Sequence, residues 1–186
     1  MTTTRGTTAT DEPRWLDAEQ MRTWLRLQAV IELLPAALDQ QLRRDSDLTH
    51  FEYMVLAMLS EAPERALRMT ELARLTSATL PRLSHVARRL EARGYVERCT
   101  APDDRRATIS HLTEDGWRKV VASAPGHART VLEDVFDDLD ADEVAALAGA
   151  LGKVLAHLDP HDRFGLEDGS RRPQAAPGSE PVRRRR

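Results

Sequence analysis

Arginine side chains are concentrated between residues 65 and 106, and their charge points to a polyanionic ligand. This window holds ten arginines and five acidic residues, a local net charge of +5, whereas the whole chain of 186 residues carries −3. The rest of the chain therefore carries −8. Because a guanidinium group can pair with two phosphate oxygens or with O6 and N7 of guanine, this window indicates nucleic-acid binding. The alternative is that the arginines only solvate exposed helix faces.

The segment from Leu80 to Arg93 has the apolar spacing of a helix that packs on one side and faces outward on the other. At 100° per residue, its packing face consists of Leu83, Val86, Ala87 and Leu90. The outward face and its flanks carry Pro81, Arg82, Ser84, His85, Arg88 and Arg89.

Helix-turn-helix proteins place the N-terminal half of such a helix against base edges in the major groove. We therefore predict base contacts from Arg82, Ser84 and His85. Phosphate contacts are expected from Arg88 and Arg89, although one of these two could instead be a solvated side chain. Arg93, near the C-terminal end, is expected to be solvated.

A second group of charged residues, Asp104-Arg105-Arg106, follows this helix. It lies between two short extended runs, Tyr95–Thr100 and Ala107–Leu112, which predicts a hairpin with a tip over residues 101–106. A carboxylate two residues before an arginine can hold its guanidinium in one rotamer, which limits the entropy lost on entering a minor groove. We therefore predict that Asp104 fixes the Arg106 side chain in a basic wing.

The elements ahead of this helix can be predicted from apolar spacing and capping residues. Spacings of three and four from Trp15 to Arg44 predict a helix that Pro35 kinks or divides. Thr49 followed by Glu52 predicts a capping box and a second helix ending before Pro63. Its predicted core face consists of Phe51, Met54, Val55, Met58 and Leu59.

Three further elements connect this second helix to the hairpin. Residues 66–68 are expected to form an edge strand, and a small helix is expected near Thr70–Leu75 with Leu72 and Leu75 inward. Pro81 suits the first turn of the helix that follows, because the N–H that proline lacks has no partner there. Gly94 is expected to cap its C-terminal end.

Two more helices are expected after the hairpin. Thr113 begins one that runs towards Phe136 with an interruption near Pro125-Gly126. Asp140 with Glu143 caps a last helix, whose apolar residues are Val144, Leu147, Leu151, Val154, Leu155 and Leu158. In a monomer, the apolar stripes of the first and last helices would form only a thin core. A second copy of the chain could bury these stripes.

The chain resembles the MarR (multiple antibiotic resistance regulator) family of transcription factors from about Trp15 to Leu158. The resemblance lies in MTELARLTSATLPRLSHVARRLEARGYVER and DDRRATISHLTEDG, the second including Leu112, Thr113 and Gly116. It implies a mainly α (α+β) fold with a winged helix-turn-helix core over residues 49–112. It also implies dimerisation helices over residues 14–48 and 113–158. Residues 1–13 and the basic segment 159–186 are expected to be disordered tails.

The resemblance further implies a homodimer that binds double-stranded DNA at a pseudo-palindromic operator, with repression relieved by a small-molecule ligand. Transferred by position, the DNA-binding residues would be Thr79, Pro81, Arg82, Ser84, His85, Arg88, Arg89, Asp104, Arg105 and Arg106. Pro81 and His85 stand where Ser and Arg are more usual in the family, which indicates an altered base preference. Trp24, Phe51 and Trp117 are candidate ligand-lining residues, although core packing would explain them equally well.

Other functions have weaker support in the sequence. Cys99 could make the protein a redox-responsive regulator, but a packed strand thiol is the favoured interpretation. His157, Asp159, His161 and Asp162 could form the metal site of a small hydrolase; a histidine at a helix end is explained equally by the helix dipole. The winged helix could also be a module that binds protein instead of DNA, but the charge of the basic window argues against this alternative. Arg183–Arg186 could add non-specific phosphate contacts or be a passive tail.

Several classes of protein are disfavoured by what the sequence lacks. It has no Gly-rich phosphate loop, nucleophile elbow or HExxH motif, so we expect neither enzymatic activity nor a cofactor. Its apolar runs are too short to span a membrane, and residues 1–13 do not have the apolar core of a secretion signal. The single cysteine and these features together predict a cytoplasmic protein.

Overall fold

A computed structural model of the protein describes residues 13–166. The helices in this range are α1 (Ala18–Ser46), α2 (His50–Glu61), α3 (Met69–Leu75), α4 (Leu80–Ala92), α5 (Glu114–Val131) and α6 (Ala141–Leu158). The strands are β1 (Ala66–Arg68), β2 (Val96–Ala101) and β3 (Asp104–Leu112). A 3-10 turn, Pro63–Arg65, precedes β1, and a π-helical turn, Leu132–Phe136, follows α5. The expected tails were residues 1–13 and 159–186; apart from Pro13 and residues 159–166 they lie outside the described residues, as does Arg183–Arg186.

Local capping chemistry sets the helix ends where the sequence predicted them. Thr49 caps α2, and its side chain and that of Glu52 form the predicted capping box. Asp140 and Glu143 form the same arrangement ahead of α6. Thr113 caps α5 by accepting a hydrogen bond from the backbone N–H of Gly116. These three predictions from short sequence spacings are confirmed.

Two prolines expected to break helices lie inside continuous ones. Helix α1 runs through Pro35, so this proline does not divide it. Helix α5 runs through Pro125 and Gly126, so the predicted interruption is wrong. A proline removes one hydrogen bond from a helix, and the remaining bonds and the packing can outweigh that loss. At Gly126 the missing side chain makes room for Gln41, whose Nε2 atom would lie 3.0 Å from an added Cβ.

The chain divides at Leu34 and Pro35 into two compact units. The described part of the first unit contains the beginning of α1, where the apolar side chains are exposed. They are Trp15, Leu16, Met21, Trp24, Leu25, Leu27, Val30, Ile31 and Leu33. No helix within residues 13–166 combines the length and the apolar character required to cross a membrane.

The second unit is built around a leucine-rich core to which α2, α3, α4 and the sheet contribute. Its fully buried leucines are Leu42, Leu48, Leu56, Leu59, Leu72, Leu83 and Leu90. The predicted core face of α2 is partly wrong, since Tyr53 and Leu56 are buried while Phe51 and Met54 are only partly buried. Because α3, α5 and the sheet all contact α2, this helix buries more of its circumference than one stripe.

The three strands form an antiparallel sheet in the order β1-β3-β2, so β1 is the predicted edge strand. The hairpin differs from the prediction, because β3 begins at Asp104 and only Pro102 and Asp103 form the turn. Thr100 pairs with Thr108 whereas Ala101 pairs with Asp104. Arg105 and Arg106 therefore lie on an irregular part of β3, where extra residues are accommodated as in a bulge.

Gly116 lies in the first turn of α5, close to Tyr95 and to the end of β3, and a side chain there has no space. A Cβ atom added to Gly116 would lie 2.1 Å from the Tyr95 carbonyl oxygen and 2.7 Å from Leu112 Cδ1. The Tyr95 carbonyl also accepts a hydrogen bond from the N–H of Thr113, at 3.1 Å. The close approach of the Tyr95 carbonyl to α5 explains why residue 116, four residues after Leu112, is a glycine.

We predict that Gly116→Ala lowers the free energy of unfolding by about 1–3 kcal/mol, the usual cost of overpacking. Gly149→Ala is the matched control, because a Cβ at this exposed position in α6 meets nothing within 4 Å. It should stabilise the protein by up to about 1 kcal/mol through helix propensity. Urea unfolding followed by circular dichroism at one protein concentration measures both. Equal effects of the two substitutions would contradict the packing explanation.

Candidate nucleic-acid interface

Helix α4 buries the face that the sequence predicted. Leu83, Val86, Ala87 and Leu90 are buried in the core. On the other side Pro81, Arg82, His85, Arg88 and Arg89 are exposed, and Ser84 is partly buried. The side chains expected to contact DNA therefore lie on the solvent-facing part of α4.

Both ends of α4 are defined by backbone geometry. Thr79 is the N-cap, yet its side chain makes no capping hydrogen bond, so its hydroxyl is not used within the helix. At the other end Gly94 has a φ of +74°, and its N–H donates to the Glu91 carbonyl. The N–H of Tyr95 donates to the Leu90 carbonyl, which completes a Schellman motif. Gly94 thus turns the chain from α4 directly into β2.

Six of the ten arginines in the basic window form ion pairs with carboxylates inside the protein. The pairs are Arg65–Glu114, Arg68–Asp103, Arg74–Glu71, Arg89–Glu52, Arg93–Asp47 and Arg98–Glu91. Hydrogen bonds from Arg98 and Arg74 hold the pKa values of Glu91 and Glu71, respectively, below the usual value for glutamate. Among the described residues, the arginines of this window without such a partner are Arg82, Arg88, Arg105 and Arg106.

These four arginines lie on α4 and on the wing. Arg82 has its guanidinium carbon 4.4 Å from the ring centroid of Phe51, a cation–π distance. Arg88 donates from Nε to the Ser84 carbonyl at 3.3 Å. Arg105 and Arg106 are exposed on β3. Because no carboxylate in the described chain neutralises these four side chains, their positive charge is available to an anion.

The wing is organised by Asp104, but through the backbone. One carboxylate oxygen of Asp104 accepts a hydrogen bond from the N–H of Arg106 at 2.9 Å, and no contact joins it to the Arg106 guanidinium within the described residues. The prediction of a direct carboxylate–guanidinium contact is therefore wrong. The two-residue spacing instead forms an Asx-type turn, which the same sequence pattern supports. Arg68 on β1 pairs with Asp103 and ties the turn to the opposite edge of the sheet.

Two arginines of α4 have contacts that sequence periodicity did not predict. Arg93 is partly buried, pairs with Asp47 and lies 5.0 Å from the ring centroid of Tyr95, so the expectation of a solvated side chain is wrong. Arg89 lies 3.1 Å from the buried carboxylate of Glu52. Neither acid lies close in sequence to its partner, and helical spacing cannot reveal such pairs.

Two of the three candidate ligand-lining residues have packing roles in the described chain. Phe51 and Trp117 are partly buried against the core. Phe51 lies beneath Arg82, and the Trp117 ring lies 4.2 Å from the Arg65 guanidinium carbon. Trp24 is exposed on α1.

The alternative sites gain little from the structure. Cys99 is exposed, contrary to the favoured packed thiol, because it lies on the face of β2 opposite to the buried Val96. Its Sγ lies 3.5 Å from His111 Nε2 on β3. Within residues 13–166 no three His, Cys, Asp or Glu side chains are grouped to hold a metal ion. Asp159 pairs with Arg163, and His157 lies against the Lys153 carbonyl.

Comparison with known proteins gives one consistent result. Residues 46–107 match the model of the MarR family. The chain is similar to the structure of Sco3205, a MarR family transcriptional regulator from Streptomyces coelicolor in complex with DNA. That match has 40% identity and a TM-score of 0.76 and covers 82% of this chain and 95% of that one.

Two further relatives extend the comparison. AbsC, a MarR family transcriptional regulator from the same organism, has 32% identity and a TM-score of 0.73, covering 78% of this chain and 98% of that one. The HTH-type transcriptional regulator YdcH of Bacillus subtilis is 33% identical over 81 residues, 42% of this chain. The match spans 55% of the length of YdcH.

The role of Asp104 can be tested by separating its charge from its hydrogen bond. We predict that Asp104→Ala weakens DNA binding about threefold to tenfold, the equivalent of one lost hydrogen bond of about 0.5–1.5 kcal/mol. Asp104→Asn keeps an acceptor for the Arg106 N–H and removes a negative charge near the DNA, so it should bind at least as tightly as the unmodified protein. Fluorescence anisotropy with labelled duplex measures both. Equal losses in the two variants would restore the carboxylate–guanidinium interpretation.

Proposed function

Because this chain belongs to the MarR family of transcriptional regulators, we propose that it is a homodimeric repressor that binds a pseudo-palindromic operator and is released by a small molecule. The observation that carries the proposal is the position of the unpaired arginines. Acids elsewhere in the chain neutralise most of the basic window, and the four remaining arginines lie on the outward face of α4 and on the wing. These are the two elements that winged helix-turn-helix proteins bring to DNA.

The proposed contacts divide between two grooves and the backbone. The first half of α4 enters the major groove, where Arg82, Ser84 and His85 meet base edges and Thr79 and Pro81 lie alongside. Arg88 and Arg89 face phosphates on the same helix. Arg105 and Arg106, with their backbone turned by Asp104, reach the neighbouring minor groove. Their exposure and lack of ion pairs, except at Arg89, support these assignments.

The DNA-binding proposal is tested on a sequence selected by the protein from random duplex DNA. We predict that Arg106→Ala and Arg88→Ala each weaken binding to that sequence about tenfold or more at moderate salt. The Arg88 variant should also lower the slope of log K against log salt by about 1.8, because a dimer loses two phosphate contacts.

Arg118→Ala is the control for these variants. Arg118 is an exposed arginine on α5 that pairs with Asp115 and lies outside the basic window. It should leave both the affinity and the salt slope unchanged. If all three substitutions reduced affinity equally, the effect would be one of net charge and the assigned interface would be incorrect.

Exposed apolar side chains at both ends of the chain support the homodimer. Helix α6 has no buried residue, and its Leu158 is 69% exposed. In the first unit, Leu33 is 70% exposed, and eight other large apolar side chains between Trp15 and Ile31 are exposed as well. Monomeric soluble proteins rarely leave large contiguous apolar patches uncovered, and α1 and α6 each carry a stripe of exposed apolar side chains. We therefore propose that residues 14–48 and 113–158 form the dimerisation region and residues 49–112 the DNA-binding region.

The dimer proposal predicts that Leu147→Glu with Leu151→Glu produces a monomer with little affinity for the selected operator. Both leucines are exposed on the apolar side of α6, and two charges there cannot be buried against a second copy. Ala145→Glu, at an exposed position on the other side of the helix, should remain dimeric. Sedimentation equilibrium measures the association state. A dimer that persists in the double variant would remove α6 from the interface.

The small molecule that releases the repressor would bind where it contacts both the DNA-binding and the dimerisation region. A polar group without a partner lies between α2 and α5, where the Nδ1 atom of His127 is buried and makes no hydrogen bond. The His127 ring packs 4.6 Å from the centroid of Tyr53 and 5.9 Å from that of His50. Burial lowers the pKa of His127 and that of His50 below the usual histidine value. A ligand that supplied a hydrogen-bonding group here would contact the DNA-binding and dimerisation regions together.

A further inference from the structure

Glu52 is a buried carboxylate at the start of α2. Its side chain is 1% exposed. One oxygen, Oε2, accepts the backbone N–H of Thr49 at 2.8 Å and the Thr49 hydroxyl at 3.0 Å. The other oxygen, Oε1, has no well-aligned hydrogen bond and lies 3.1 Å from Nη2 of Arg89. The capping box therefore uses only Oε2 of this carboxylate, and Arg89 lies next to Oε1.

Arg89 is the cation that faces the buried carboxylate of Glu52. A buried carboxylate requires a nearby cation or several hydrogen bonds, because it has lost its hydration. Arg43 is close enough to interact with Glu52 electrostatically, but its guanidinium is bonded to Asp39. Arg89 is the cation in direct contact with Oε1.

Arg89 belongs to a stripe of arginines that attaches α4 to the beginning of α2. Arg82, Arg89 and Arg93 are spaced by seven and four residues, so they lie within about 40° of one another around the helix axis. Their partners lie within six residues of the chain: Asp47 before α2, and Phe51 and Glu52 within its first turn. Arg88 lies about 100° away from Arg89 and is outside this stripe.

We propose that Arg89 is a positioning residue, which sets the orientation of α4 through Glu52 and is not one of the phosphate contacts. This inference rests on the DNA-binding function proposed above and reassigns one residue of its interface. If Arg89 turned to a phosphate, Glu52 would remain buried and charged without its partner, and that desolvation penalty would oppose binding. Arg88 has no carboxylate partner, so its binding to a phosphate would leave no buried carboxylate unpaired.

The test uses the full-length protein, the selected operator and three variants: Arg89→Gln, Glu52→Gln and the double variant. We expect Arg89→Gln to weaken operator binding about tenfold while leaving the salt slope and the affinity for unrelated duplex nearly unchanged. In the double variant the buried charge is absent and two amides can hydrogen-bond, so operator affinity should return to within about threefold of the unmodified protein. This rescue distinguishes positioning from a direct contact.

Two controls separate this role from folding and from phosphate binding. Thermal unfolding identifies a temperature at which every variant is folded, and all affinities are measured there, so a purely structural role would leave them unchanged. Arg88→Gln is the matched control and should lower the salt slope by about 1.8 per dimer. If Arg89→Gln does not fold, the double variant is compared with Glu52→Gln, and equal salt slopes are expected.

Three results would overturn the inference. A salt slope lowered by about 1.8 on removal of Arg89, with no rescue by Glu52→Gln, would make Arg89 a phosphate contact. Unchanged operator affinity in folded Arg89→Gln would leave it no role in DNA binding. Failure of the unmodified protein to select any sequence would instead contradict the proposed function itself, and this outcome is visible before any variant is made.

Discussion

The burial of one face of α4 is the constraint on which the rest of the DNA-binding region depends. Leu83 and Leu90 are fully buried, and Val86 and Ala87 lie with them in the core. Because residues of a helix have fixed angular positions, burying these four determines the directions of all the others. His85 and Arg88 face solvent for that reason, and the arginine stripe of Arg82, Arg89 and Arg93 lies to one side, against α2.

Internal ion pairs then decide which arginines keep an available charge. The chain carries a net charge of −3, and its acids neutralise six of the ten arginines in the basic window. Within this window, the arginines without a carboxylate partner lie on α4 and on the wing, which is how an acidic protein can present a local surface for a polyanion. The pairs also have structural roles, since Arg68–Asp103 joins β1 to the wing and Arg98–Glu91 joins β2 to α4.

Features that depend on neighbouring residues could be predicted from the sequence, and features that depend on distant ones could not. The caps at Thr49, Thr113 and Asp140 arise from side chains that bond within three residues, so their spacing alone identifies them. The buried face of α4 follows from helical periodicity in the same way. The wing turn was misplaced because its backbone is set by strand register and by the Asp104 hydrogen bond, and neither leaves an apolar pattern.

Long-range contacts account for the remaining errors. Arg93 and Asp47 are 46 residues apart in sequence, and no spacing rule relates them. The pairing of Arg89 with Glu52 could not be predicted for the same reason, although the capping box does identify Glu52 itself. Pro125 was expected to interrupt α5 because breaker propensity is local, whereas the packing of Gln41 against Gly126 is tertiary.

The junction at Tyr95 connects these local and distant constraints. The Tyr95 N–H completes the C-terminal cap of α4, and its carbonyl accepts the N–H of Thr113 at the start of α5. Thr113 also donates its hydroxyl hydrogen to the Gly94 carbonyl at 2.7 Å, and Gly116 leaves no space for movement towards Tyr95. A rotation of α5 would therefore strain the hydrogen bonds that join Thr113 to Gly94 and Tyr95 at the end of α4. In the homodimeric repressor proposed above, α5 belongs to the dimerisation region. A change in dimer geometry would then reach the DNA-binding surface through this short connection.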